Sequence, residues 1–219
     1  VREIGDYAFS DCSALKLLDI SVGTEKIGKY AFNNCTNLES IKLPGGRTLA
    51  GGTLTRIEEG TFAGCEALTE LRLPDCVTEI GSGAFSGCKA LSSMELPDGV
   101  KSIPDEAFSG CSSLKKVSFA DDLSGLGEKA FYSCTSLQVI AIPEGVQKIS
   151  KRAFFKCRSL ISITLPKSVT SIDDGAFASC RSVSKIELPE TLESIGEYAF
   201  ANCKALRGEE TFTPSGSTK

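Results

Sequence analysis

The chain contains no histidine, and that absence removes more chemistry than any residue present adds. Ser-His-Asp and Cys-His nucleophile systems depend on an imidazole that takes a proton near neutral pH, so both are excluded. Zinc sites lose their usual nitrogen ligand. The cysteines form no C-x-x-C pair, so a zinc ribbon would have to gather its ligands from distant parts of the chain. No G-x-x-x-x-G-K-[ST] run is present to cradle a phosphate. Apolar runs such as Val139 to Ile142 fall far short of the roughly 20 residues that a membrane-spanning helix needs, so no membrane insertion is expected. The opening Val1-Arg2-Glu3-Ile4 shows neither the basic nor the apolar segment of a signal peptide.

Charge is equally uninformative about polyanions. With 24 basic and 28 acidic residues the net charge is −4, without the basic stripe that a nucleic-acid surface carries. Adjacent acids at Glu58-Glu59, Asp121-Asp122, Asp173-Asp174 and Glu209-Glu210 point apart on turns, whereas a glycosidase needs two carboxyls facing across a cleft. No enzymatic activity and no cofactor is expected. Hydrophobic residues at 41% and charged residues at 24% are ordinary for a folded soluble protein.

What is present is a rhythm. Phe9/Cys12, Phe32/Cys35, Phe62/Cys65, Phe85/Cys88, Phe108/Cys111, Phe131/Cys134, Phe154/Cys157, Phe177/Cys180 and Phe200/Cys203 repeat one pair nine times, and seven of the eight gaps are 23 residues. A fixed period of roughly 20–50 residues means that each unit is one supersecondary piece that buries its apolar face only by stacking on its neighbours. Residues 1–207 are therefore expected to form one solenoid of about nine coils, with an insertion near 45–53 and an exit segment or linker at 208–219.

Each unit divides in two. The step from Met94 to Leu96, or from Ile163 to Leu165, has period 2 and predicts a short strand with both side chains inward. Pro44, Pro74, Pro97, Pro143, Pro166 and Pro189 close these strands, because proline cannot donate to a ladder. Apolar residues at Ile80, Ala84, Phe85, Cys88 and Leu91 are spaced by three to four, which predicts a short helical or 3₁₀ turn. Stacked cysteines would stand about 4.8 Å apart and point the same way, whereas a disulfide wants Cβ atoms about 3.8 Å apart and turned toward each other. The nine repeat cysteines are expected to be small buried hydrophobes, and Cys76, outside the file, to be the one thiol that reagents reach. Asn34-Cys35-Thr36 is formally a glycosylation sequon, but Cys35 belongs to the buried file.

The frame Ile-x-x-x-Ala-Phe-x-x-Cys-x-x-Leu-x-x-Ile-x-Leu-Pro-x-x-Val, met from Ile80 and again from Ile149, resembles the BspA-type leucine-rich repeat. The resemblance covers about residues 1 to 207. It implies an α/β repeat solenoid: a right-handed leucine-rich-repeat coil with a parallel β-sheet on the concave side and short helical or 3₁₀ turns on the other. It also implies a non-enzymatic protein-binding or adhesion module of a cell-surface or secreted protein. The partner it implies is a protein, such as a host extracellular-matrix or cell-surface protein. A structural spacer displaying other domains of a longer chain is the competing reading.

The matched residues are the buried ones, so a partner must be chosen by the rest. On the strand face the outward positions fall five and seven residues after each repeat cysteine. Charge alternates along the first half and returns at the end, but the stretch Ser118, Val139, Ala141, Ser162 and Thr164 carries none. With the adjoining Ile161 and a rim of Lys116, Lys185 and Glu187, they have the composition of a protein-binding patch. The alternative is that small residues there merely avoid crowding. Tyr132 and Phe155 stand directly after the repeat phenylalanine, where seven coils have Ser, Asn or Ala. They suit an interface anchor or half-buried packing under a long side chain. The Gly-rich insertion at 45–53 is either a binding loop or a tolerated one. Exposed solenoid ends present unpaired strand edges, from which self-association is expected.

Overall fold

Alternation along the strands determines which side chains enter the core. In the computed structural model, which describes residues 1–44 and 54–207, Met94 is buried between exposed Ser93 and Glu95, and the same pattern recurs in Val139–Ala141, Ser162–Thr164 and Lys185–Glu187. These strands pair in parallel one repeat apart, so that Ile140, Ile163 and Ile186 share one register level. Leu17–Asp19 pairs with Ser40–Lys42, which continues by a bridge to Glu70, and Ser93–Glu95 pairs with Lys116–Ser118. A second file of two-residue strands, from Glu3–Ile4 to Ser194–Ile195, also pairs in parallel and buries the isoleucines Ile27, Ile57, Ile103, Ile149 and Ile172. Together they make a parallel-strand β-solenoid.

Among the described residues the solenoid completes about eight turns rather than nine. The strand that would follow Lys185–Glu187 by one period falls at 208–210, outside the described residues, as do the insertion at 45–53 and the rest of the exit segment. No described helix is long and apolar enough to cross a membrane.

The segment around each repeat phenylalanine is a turn, not the expected helix or 3₁₀ piece. Two positions in each turn lie in the left-handed region, two residues before and two residues after the phenylalanine: Tyr30 at φ 53° and Asn34 at φ 57° flank Phe32, and Gly175 at φ 61° and Ser179 at φ 65° flank Phe177. Such residues interrupt right-handed helical hydrogen bonding. Amides therefore alternate in direction. The N–H groups of Ala31, Asn33 and Cys35 donate within the turn, to Gly28, Tyr30 and Phe32, while those of Tyr30, Phe32 and Asn34 donate to Glu59, Thr61 and Ala63 of the next coil. The turn is thus a third inter-coil ladder, and it leaves no row of orphaned amides at this face.

Inside, the rings from Phe9 to Phe200 stack in one unbroken file with centroids 5.2–5.9 Å apart. Offset stacking of this kind adds about 0.5–1.5 kcal/mol per pair beyond area burial. The cysteines run beside them. Each repeat thiol from Cys35 to Cys203 donates to the carbonyl of the phenylalanine in the preceding coil, at 3.0–3.2 Å. A cysteine is small enough for the file and supplies a weak donor that alanine lacks.

Candidate interaction surface

The parallel register decides which outward residues become neighbours. Val139 stands opposite Ser162 and Ser162 opposite Lys185, while Ala141, Thr164 and Glu187 form the next row. Val139, Ala141, Ser162 and Thr164 are all exposed and uncharged, and Ile161, 53% exposed, adjoins them at the start of its strand. At one edge Lys185 and Glu187, two residues apart on the same strand face, form an ion pair at 2.7 Å. At the other edge lie Lys116, exposed, and Ser118, half-buried. Their strand is hydrogen-bonded to Ser93–Glu95 rather than to Val139–Ala141, so it belongs to a separate two-stranded sheet packed beside the first. The sheets separate where Ala120 replaces the strand-closing proline, and where Phe119 packs edge-on against Phe131 at 6.1 Å.

Tyr132 and Phe155 come together on the turn face, far from that strip in the coil. Their rings stack at 5.1 Å and 9°, and both are half-buried. Lys156 places its ammonium over both rings, at 5.9 Å and 5.3 Å, and the Arg152 guanidinium lies 5.9 Å from Phe155. The nine candidate residues therefore form two groups on two faces, not one site.

The cysteines are free thiols. Burial pushes Cys35 up to about 11 and Cys111 up to about 12, and it raises Cys65, Cys88, Cys134, Cys157 and Cys180 as well. A thiol that resists ionisation is a poor nucleophile. Two details differ from expectation. Cys12 is exposed, and Cys76 is only partly exposed, its thiol donating to Leu54 at 3.3 Å.

Electrostatics on the outside also follows the repeat. Lys26–Glu3, Lys89–Glu66 and Lys129–Glu106 bridge adjacent coils at 2.7–2.8 Å. Such exposed pairs are each worth about 0–1 kcal/mol. They align coils more than they stabilise them.

The sequence matches the family described as the BspA type leucine rich repeat region, in 6 copies, over residues 1–52, 48–146 and 101–214. Among solved structures, the chain is similar to a leucine-rich cell surface protein from Faecalibacterium prausnitzii A2-165, with a TM-score of 0.63 and 28% identity over 99% of this chain and 70% of that one. It is also similar to a leucine-rich repeat protein from Eubacterium ventriosum, with a TM-score of 0.56 and 26% identity over 92% of this chain and 46% of that one. The pneumococcal vaccine antigen PcpA shares the fold, with a TM-score of 0.56 at 20% identity over 93% of this chain and 58% of that one. No curated protein sequence matches the chain.

Proposed function

We infer the function from one premise: the chain belongs to the BspA-type leucine-rich repeat family. As such it is a non-enzymatic module, carried by a cell-surface or secreted protein, that holds a partner protein. The similar chain from Faecalibacterium prausnitzii is a cell surface protein, which supports the location.

The observation that carries the binding role is the uncharged strip. Val139, Ala141, Ser162 and Thr164 are brought together in register with Val139 57% exposed, and charge appears only at the rim. A charge-depleted centre with a polar rim is the anatomy of a protein interface. Curvature adds support. Phenylalanine rings repeat at 5.2–5.9 Å on the turn side, wider than the about 4.8 Å between paired strands, which favours a bend that puts the strand sheet on the inner side.

A plate coated with solubilised extracellular matrix tests the reading. Wild-type chain is retained, and the Val139→Lys/Thr164→Lys double variant loses retention by about tenfold or more, while Ser93→Lys on the same face does not. Equal retention of the double variant would remove the strip from the interface. A spacer that only displays other domains predicts no retention of any of the three proteins.

A further inference from the structure

The constant interior lets each outer position be compared from coil to coil. Two columns flank every buried phenylalanine on the turn face: the residue two before it and the residue one after it. In successive coils these are Lys129 and Tyr132, Arg152 and Phe155, Gly175 and Ala178, then Tyr198 and Ala201. Both columns shrink to glycine and alanine in the coil of Phe62, with Gly60 and Ala63, and again in the coil of Phe177. The second gap forms a groove of about 410 Å³, lined chiefly by Arg152, Phe155, Gly175, Ala178, Tyr198 and Asn202. Its size falls within the roughly 300–1,000 Å³ of ligand-holding clefts.

The walls are aromatic. One is Phe155, whose stacked pair with Tyr132 has no third ring, because the next coil offers only Ala178. The floor lies directly beneath it: a Cβ added at Gly175 would stand 3.4 Å from Arg152 Cγ and 4.0 Å from Phe155 Cδ2. The far wall is Tyr198, 76% exposed and held at φ 59°.

One earlier coil lays a ring over a glycine in that column, although Gly83, the next glycine there, meets only Ser86 of its own coil. At Gly60 the tyrosine of the preceding coil covers the site so closely that an added Cβ would come within 2.2 Å of its ring, and Tyr30 Oη donates to Glu59 at 2.7 Å. At Gly175 the corresponding residue is Arg152, and its guanidinium is turned onto Phe155. At Gly175 no ring fills the place that Tyr30 fills at Gly60; the Arg152 stem borders it instead.

We propose that this groove receives an aromatic side chain from an extended segment of a partner protein, which stacks on Phe155 as the third rung after Tyr132 and lies over Gly175, with Tyr198 closing the far side. The rim carries Lys151, ion-paired with Asp174 at 3.8 Å, beside Arg152 and Glu197. The inference is independent of the strand-face strip.

N-acetyl-tryptophanamide is the probe, because the chain has no tryptophan of its own and the probe's fluorescence is read without background. Titration followed by amide NMR moves Gly175, Ala178, Ser179 and Tyr198. N-acetyl-leucinamide binds about fivefold to tenfold more weakly, because it cannot stack. Ala178→Phe supplies the third rung from the chain itself and weakens the probe about tenfold; Phe155→Ser, which installs the residue found at Ser86 and Ser109, removes the platform and serves if the first variant fails to fold. Shifts outside the groove, equal binding of the leucine analogue, or unchanged binding to both variants would overturn the proposal. So would a methyl glycoside that shifts these amides where the tryptophan analogue does not, which would assign the groove to carbohydrate.

Discussion

Phe154 and Phe155 are neighbours in sequence and opposites in structure. Phe154 is fully buried in a ring file that runs without a break from Phe9 to Phe200, whereas Phe155 is half-buried in a two-ring stack that ends at the next coil. The first ladder is a condition of stacking, since each coil buries its face only against its neighbours. The second is optional, since seven coils do without it. Positions that every coil must fill carry the fold, and positions that a coil is free to leave empty are where a partner can be selected.

The comparison breaks most readily at its strong side. Phe108→Ala removes a rung from the middle of the inner file and is expected to cost about 3–5 kcal/mol, whereas Phe155→Ser costs about 1 kcal/mol, the outer stacking alone; urea unfolding of the two variants measures both. Similar costs would abolish the distinction between the ladders.

The cysteine file sharpens it by pH. Burial holds Cys111 at about 12 against an ordinary 9.0. The unfolded chain therefore releases its thiol protons first as pH rises, so fewer protons are bound unfolded than folded and stability falls with pH. The contribution is complete below about pH 9 and declines above it by at most about 1.4 kcal/mol per pH unit for each buried thiol. Denaturant titrations between neutral and strongly alkaline pH should show that fall, and Cys111→Ala should reduce its slope. A flat profile would mean that the thiols are not buried.

The smallest effect lies in the turns. Ser133 occupies a left-handed position at φ 59°, the column in which Gly110 stands one coil earlier at φ 76°. Ser133→Gly relieves that strain and should stabilise by about 0.5 kcal/mol after the entropy cost of glycine, read as a small rise in melting temperature.

These turns mark where the sequence was hardest to interpret. The strands were legible because Met94 and Leu96 alternate with polar residues, and the burial of the thiols followed from their shared file. The spacing of Ala84, Phe85, Cys88 and Leu91 fits a helical turn as well as the observed one, so periodicity alone could not separate them. The missing signal was in the columns: Asp11, Asn34 and Asn202 alternate with Gly64, Gly87 and Gly110 at one position, and those are the residues that tolerate left-handed backbone. Lys156 in the same column, and Lys129 and Arg152 in the column before the phenylalanine, are left-handed too and carry no such mark. The Tyr132 and Phe155 pair stood out because the repeat supplies its own standard. The groove did not, since it is made of absent side chains, and its meaning depends on seeing Tyr30 lie over Gly60.

Counting accessible thiols tests the central claim most directly. Brief alkylation of the native protein, read residue by residue by mass spectrometry, should label exposed Cys12 and, more slowly, Cys76, and leave the eight buried cysteines unmodified until the chain is unfolded. Rapid labelling along the whole file would contradict the account.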